Sequence, residues 1–370
     1  MNKKTIITAL LALIAITGHG QIKCHVEGTL ETDAWGDEII ICEAGTNLRA
    51  VNDPRFHVKA NDGHFTYDIE TDLPKLYQVC FAKSLKTGGF VGKFLAENCN
   101  VNVTMYKDKR VRIVSNGEEG RKHAIKDSIE EVRFRNPMEE SLQLKQQRDS
   151  IYAELRHFRI AYAEEHPMLR TLYDVLDAIQ RLKDADIIAN FNKSDYEPYL
   201  TLYHNKLANY YPNHPIHEQI AIAEAAYHLQ PDKPYIDYTV RNADGQLVPI
   251  STLTKGKVTL IDLWASWCGP CRRHSIAMIP IYEKYKDKGF TVIAIARERS
   301  RKAMENAAKI DGYPWTSLLE LNDENGVWRK NGANNAGGAM FLIDRNGTIL
   351  STSTKAEELE PLIKKALNIE

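Results

Sequence analysis

The sequence predicts an α/β C-terminal domain preceded by a β-rich domain and an all-helical segment, and three observations carry that prediction. From Ile22 to about Val114, short β-type segments follow one another with turn residues between them and no helical pattern intervening. At Ser115-Asn116-Gly117 the composition changes to Glu, Lys, Arg, Gln, Leu and Ala with apolar residues at helical spacing, as far as about Leu229. From Pro231 onward strand and helix patterns alternate, which builds a mixed sheet covered by helices on both faces. At 370 residues the chain is too long for one small domain, and about two or three is the expected number. The expected boundaries are 1–20, 21–114, 115–230 and 231–370.

Residues 1–20 read as an export signal. Lys3 and Lys4 give a positive start, Thr5 through Thr17 a short apolar core, and Gly18-His19-Gly20 the small residues that a signal peptidase inspects. Cleavage is expected near Gly20, before Gln21. The apolar core is short for a membrane span, and no later segment approaches the required length. The mature chain is therefore expected to be exported and periplasmic, with no direct membrane span. With 48 Lys+Arg against 49 Asp+Glu, nothing favours nucleic acid or an acidic membrane as a partner.

In residues 21–114 the clearest strand segments are His25–Gly28, Glu38–Cys42, His64–Tyr67 and Val101–Met105. Asn61-Asp62-Gly63, Asp72-Leu73-Pro74 and Gly88-Gly89 supply the turns. Strands recurring without helices predict an antiparallel sandwich or small barrel. Cys24, Cys42, Cys80 and Cys99 fall here, and four cysteines allow three pairings among which the sequence does not choose. Equally, they can be reduced, buried and inert. Their spacing lacks the close pairs of a zinc site, and no motif in this part carries chemistry.

The helical segment shows one apolar stripe at Ile125, Ile129 and Val132 and another at Leu142, Ile151, Leu155 and Phe158. Pro137, Pro167, Pro198, Pro212 and Pro215 break it into about five helices. Tyr and His residues between Tyr196 and His214 are expected to pack rather than to hold a metal or cofactor. In the C-terminal part, strands are expected at Tyr235–Val240, Val258–Trp264, Phe290–Ile295, Ala339–Asp344 and Thr348–Leu350, the last two joined by the hairpin turn Asn346-Gly347. Helices are expected after the second strand as far as Tyr285, near Arg301–Ile310 and from about Glu357 to Leu367.

The most informative feature is Trp267-Cys268-Gly269-Pro270-Cys271, which follows the apolar strand Val258–Trp264 and opens a helix. At a strand–helix junction the first sulfur lies where free backbone N–H groups and the helix dipole favour negative charge. The thiolate is the nucleophile in disulfide exchange, and the second cysteine is close enough to resolve the mixed disulfide. Pro270 suits the first helical turn, where its missing N–H would have no partner. Asp262 lies inside the apolar strand, where burial would raise its pKa and let it act near neutral pH.

These residues resemble the thioredoxin superfamily, and more narrowly the exported thiol–disulfide oxidoreductases of the TlpA/ResA type. The match is carried by Leu263-Trp264-Ala265-Ser266-Trp267-Cys268-Gly269-Pro270-Cys271-Arg272 and by Phe341-Leu342-Ile343-Asp344-Arg345-Asn346-Gly347, with the lead-in Asp244-Gly245-Gln246 and Lys255-Gly256-Lys257-Val258. The β-rich start followed by helices resembles, by pattern only, the N-terminal extension of some exported members. The resemblance implies a thioredoxin-like C-terminal domain in which Cys268 attacks, Cys271 is the resolving and more buried thiol, and Asp262 takes the Cys271 proton. Gly269-Pro270 resembles the reducing end of the family, about −270 mV for thioredoxin itself. Trp264 and Trp267 are expected to pack around the motif and shield it, and Arg272 and Arg273 to add positive charge.

Four positions depart from the family pattern. Gly338 stands where a cis-proline is usual, and a cis bond without proline costs about 2.5–4 kcal/mol, so a trans loop is expected there. His274 replaces a common acidic residue and could titrate near neutrality. Pro280 replaces a usual proline at Ile276, moving any kink by about one turn. Arg297 ends the second apolar strand where an acidic residue is common.

The resemblance implies reduction of protein disulfides, with disulfide-containing proteins as substrates. No nucleotide fingerprint is present, so a membrane-bound reductant protein is the implied electron source, and no metal or organic cofactor is needed. Disulfide oxidation or isomerisation is the alternative within the same chemistry, and a redox-idle binding or scaffold protein the alternative from another class. The Pro-x-x-x-Thr-x-x-Cys arrangement of peroxidases is absent.

Overall fold

The structure, a computed structural model, describes residues 21–46, 53–87, 91–137, 145–184, 196–333 and 337–369. The expected export signal, the Gly88-Gly89 turn and Leu142 lie outside the described residues. The chain divides into two compact units, Met1–Pro137 and Met138–Glu370.

In the first unit, β1 (Ile22–Leu30), β2 (Glu38–Glu43), β3 (His57–Lys59), β4 (His64–Thr71), β5 (Lys75–Phe81), β6 (Gly92–Ala96), β7 (Cys99–Met105) and β8 (Val111–Ser115) form two four-stranded sheets. Their orders are β4-β1-β7-β8 and β3-β2-β5-β6. Alternation drives the packing: in β7 every second residue, from Cys99 to Met105, is buried. The inward residues of both sheets, among them Val26, Ile39, Phe81 and Val103, share one core, so this is a sandwich. The expectation of a purely antiparallel arrangement is corrected, because β1 and β7 pair parallel.

Helix α1 (Glu118–Glu130) also belongs to this unit and corrects a second expectation. Ile125 of its apolar stripe is 60% exposed and Val132, just past the helix, 68%, with Ile129 half-buried, while Glu119, Lys126 and Glu130 are buried. The Glu97 carboxylate accepts hydrogen bonds from the N–H groups of Glu119 (3.2 Å) and Gly120 (2.9 Å) in the first turn. That anchor helps set the helix rotation, since free N–H groups at a helix start seek an acceptor. Inside, Lys126 pairs with Glu130 at 3.0 Å.

The second unit opens with α2 (Lys145–Glu165), α3 (Leu169–Asp184), α4 (Glu197–Leu202) and α5 (Ile216–Tyr227). Leu155 of the second expected stripe is buried, as are Tyr199, Tyr203 and His214. The hairpin β9 (Thr239–Arg241) and β10 (Leu247–Pro249) and the short α6 (Ile250–Thr254) lead into β11 (Val258–Trp264). Then follow α7 (Gly269–Tyr285), β12 (Phe290–Glu298), α8 (Arg301–Asp311), β13 (Ser317–Leu321), α9 (Val327–Lys330), β14 (Ala339–Ile343), β15 (Ile349–Ser351) and α10 (Ala356–Ala366).

The sheet order β13-β12-β11-β14-β15 is mixed. Strand β12 runs parallel to β11 and β13, while β14 runs antiparallel to β11 and β15. All seven residues of β11 are buried, as a central strand covered on both faces requires. Gly347, at φ +86° in the β14–β15 turn, holds the left-handed conformation that glycine accepts without strain. Pro280 lies within α7, which continues to Tyr285. Among the described residues no helix is long and apolar enough to cross a membrane.

Candidate active site

The site forms where β11 ends and α7 begins. Cys268 is the N-cap of α7, with extended backbone angles, and its Sγ accepts the N–H of Cys271 at 3.3 Å. Gly269 and Pro270 occupy the first helical turn. Cys268 and Cys271 are joined as a disulfide. They are equally buried, at 6% and 7% exposure, so the expectation that Cys271 is the more buried thiol is corrected. What separates them is their donors: Cys268 caps the helix, whereas Cys271 Sγ accepts the N–H of Gly338 at 3.1 Å.

That last contact explains the residue at 338. A Cβ built on Gly338 would lie 1.6 Å from the Leu263 carbonyl oxygen and 3.2 Å from Cys271 Sγ. The backbone therefore passes so close to the end of β11 that no side chain fits, and it places on the sulfur an N–H that proline lacks. Among the described residues there is no cis peptide bond.

Asp262 is 1% exposed on the central strand. Burial pushes its carboxyl up to about 7, against the opposing hydrogen bond from Ser275. Ser275 Oγ lies 2.6 Å from Asp262 Oδ2 and 3.1 Å from the Cys271 carbonyl oxygen. The sequence reading missed Ser275, although its place one helical turn after Cys271 puts it on the same face.

A second buried carboxylate, Glu298, was also missed. Strand β12 runs one residue past Arg297, and a one-residue step turns a side chain to the opposite face. Glu298 accepts hydrogen bonds from the Ser266 N–H and from Ser266 Oγ (2.9 Å), fixing the loop before the cysteines. Burial raises its pKa. Glu298→Ala should cost about 1–3 kcal/mol by leaving the Ser266 N–H without its acceptor. Glu298→Gln, which keeps an acceptor oxygen, should cost less. Urea unfolding of both variants checks this, and equal losses would contradict it.

Arg272 is occupied rather than free to face the sulfurs. Its Nε and Nη2 donate to Asp311 at 2.7 and 2.6 Å, and its Nη1 to the Ser266 carbonyl at 3.3 Å. Arg272→Lys should therefore fail to substitute fully, because the two-pronged bond depends on the planar guanidinium. A thermal midpoint equal to that of the unsubstituted chain would count against this brace. Burial and the Arg273 charge lower the pKa of His274, which favours its neutral form.

Trp264 is fully buried with its ring edge-on to Tyr313 at 5.0 Å. Trp267, by contrast, is 52% exposed beside Trp328, ring centres 6.1 Å apart. Trp264 is thus part of the core, while Trp267, adjacent to Cys268 in the chain, presents an exposed aromatic surface.

Known proteins match the C-terminal part of the chain. Residues 231–367 match the Redoxin family. The chain is 28% identical over 143 residues to the thiol-disulfide oxidoreductase ResA of Bacillus thuringiensis (strain Al Hakam), covering 37% of this chain and 79% of that protein. A putative thiol:disulfide interchange protein DsbE from Chlorobium tepidum is 30% identical, with 38% of this chain and 99% of that chain covered at a TM-score of 0.32. A putative protein disulfide isomerase from Bacteroides thetaiotaomicron is 28% identical, with 37% and 88% covered at a TM-score of 0.33. Sulfur pair, capped helix and matched sequence agree, and through its C-terminal redoxin domain the chain belongs to the thioredoxin superfamily as a thiol–disulfide oxidoreductase of the TlpA/ResA type.

Proposed function

We propose that the Cys268–Cys271 pair reduces disulfides of protein substrates in the periplasm. The carrying observation is the position of Cys268 at the cap of α7, with the Cys271 N–H aimed at its sulfur. In the reduced protein that donor and the helix dipole favour the Cys268 thiolate. The thiolate attacks a substrate sulfur and one substrate thiolate leaves. Cys271, its proton passing to Asp262, then attacks Cys268 Sγ, and the second substrate thiolate departs. Substrate gains two electrons, and the protein is left with the disulfide seen here.

Trp267 offers the substrate an exposed apolar face, and Gly338 brings bare backbone to the sulfurs. A membrane-bound protein re-reduces the pair, consistent with the lack of a nucleotide fingerprint in the sequence. The positively charged, apolar start of the chain, ending in small residues, supports export with cleavage near Gly20. Residues 21–114, 115–230 and 231–370 act in this reading as β-rich, helical and thioredoxin-like parts.

Equilibration of the pair with glutathione tests the direction. A potential near the reducing end, about −270 mV, is expected, whereas a value near −120 mV would make the protein an oxidant. The Cys271→Ala chain should retain disulfide-bearing proteins covalently on Cys268. Reduced Cys268 should alkylate with a midpoint below the ordinary thiol value of about 8.5. An ordinary midpoint together with no captured protein would remove the enzymatic reading.

A further inference from the structure

Within the first unit, two of the cysteines that the sequence could not pair meet inside the sandwich. Cys24 and Cys99 are register partners across the parallel β1–β7 pair, and their sulfurs lie 3.6 Å apart. Paired strands run about 4.8 Å apart, within the Cα separation of about 4.4–6.8 Å that a disulfide spans. Both side chains are buried at the ends of their strands, and both line a depression of about 600 Å³ whose rim includes Lys23, His25, Asp68 and Asn116. Cys42 and Cys80 differ: they sit elsewhere in the unit, and neither lines this depression.

We propose that Cys24 and Cys99 form a second dithiol–disulfide couple, separate from the C-x-x-C, that takes a small-molecule disulfide as its oxidant. A hydrogen bond from the Cys24 thiol, with further donors near Glu97 and Ser115, holds Cys99 below the ordinary thiol range, while the same contact and then burial push Cys24 up. Cys99 is also the more accessible of the two. Its thiolate attacks one sulfur of the incoming disulfide; that S–S bond breaks, and the first small thiol leaves with the Cys99 proton. Cys24 then attacks Cys99 Sγ and expels the second small thiol, which takes the Cys24 proton. Two protein thiols are oxidised and one external disulfide is reduced, so electrons and protons balance. The product ties β1 to β7 across a separation of 75 residues, a staple that restrains the unfolded chain.

The test uses the full chain carrying Cys268→Ser and Cys271→Ser, equilibrated with mixtures of reduced and oxidised glutathione, acid-quenched, denatured and alkylated. Of the remaining cysteines Cys24, Cys42, Cys80 and Cys99, two should be lost together as oxidised glutathione rises. Peptide mapping should find Cys24 joined to Cys99, and dithiothreitol should restore both. Adding Cys99→Ser should abolish the loss. The same mapping on the chain with all its cysteines gives the result without relying on any variant to fold. Full alkylation at every mixture, a glutathione adduct on Cys99 that never closes, or a bond joining other cysteines would each overturn the proposal.

Discussion

Replacing Asp262 by asparagine is expected to slow disulfide exchange by about 10²–10³-fold while stabilising the fold above pH 7. The two effects share one cause. The carboxyl sits on a fully buried strand, and burial raises its pKa from 3.8 to about 7. Unfolded chain therefore releases this proton near pH 3.8 and folded chain only near pH 7. Between those values the native state binds more protons, so stability falls as pH rises, by about 1.4 kcal/mol per pH unit for this group.

Above pH 7 the full cost of the buried charge is on the order of 4 kcal/mol, and below pH 3.8 it vanishes. Asparagine carries no charge and can still accept the Ser275 hydroxyl bond, so Asp262→Asn removes the cost. It also removes the base that takes the Cys271 proton. Urea unfolding at pH 5 and pH 8, with exchange rates on the same samples, checks both arms. A stability gain that does not grow with pH would show that Asp262 is not the titrating group. An unchanged rate would remove it from the reaction.

The second large effect is expected at Gly338. In Gly338→Ala the new methyl meets the Leu263 carbonyl of β11, 1.6 Å away in the present geometry. A central strand buried along its length does not yield, so the loop must move outward. The strain should cost about 1–3 kcal/mol, and the shift takes the Gly338 N–H away from Cys271 Sγ. When a reductant attacks Cys268, Cys271 is the leaving thiolate, and a hydrogen bond to a charged group is worth about 1.5–3 kcal/mol. Reduction of the oxidised pair by dithiothreitol should slow by about 10–100-fold. Gly338→Pro should be slow as well, because proline carries the same Cβ and has no N–H to donate. Reduction of either variant at the unsubstituted rate would show that the loop contact does not stabilise the leaving sulfur.

The elements that were legible in the sequence share a property: their signals are local. The strand before the cysteines, the helix after them and the Asn346-Gly347 turn all follow from a few consecutive residues. The same holds for the segments of the β-rich part, where alternation fixes the inward face of each strand. Pattern failed on α1, because an apolar stripe predicts the buried face only when nothing else fixes the rotation, and there the Glu97 carboxylate holds the first turn. It failed again at Glu298, where the strand ran on past the apolar run and one residue beyond Arg297, and that step of one residue exchanged the faces.

By itself the sequence determined the chemistry on offer: a cysteine pair at a strand–helix junction, a carboxylate inside an apolar strand, and a glycine where proline is usual. The first two follow from residue type and spacing along the chain, the third from the resemblance to the thioredoxin superfamily. Only the tertiary structure decided which groups serve that chemistry. It laid Ser275 between Asp262 and the Cys271 backbone, turned Glu298 and Arg272 onto Ser266, set the Gly338 N–H on a sulfur, and brought Cys24 to Cys99 across a parallel strand pair. Apart from the one-turn spacing of Ser275 to Cys271 and the short reach from Arg272 to Ser266, each is a meeting of distant segments, set by strand register and helix rotation as the core packs, and no local pattern encodes that distance.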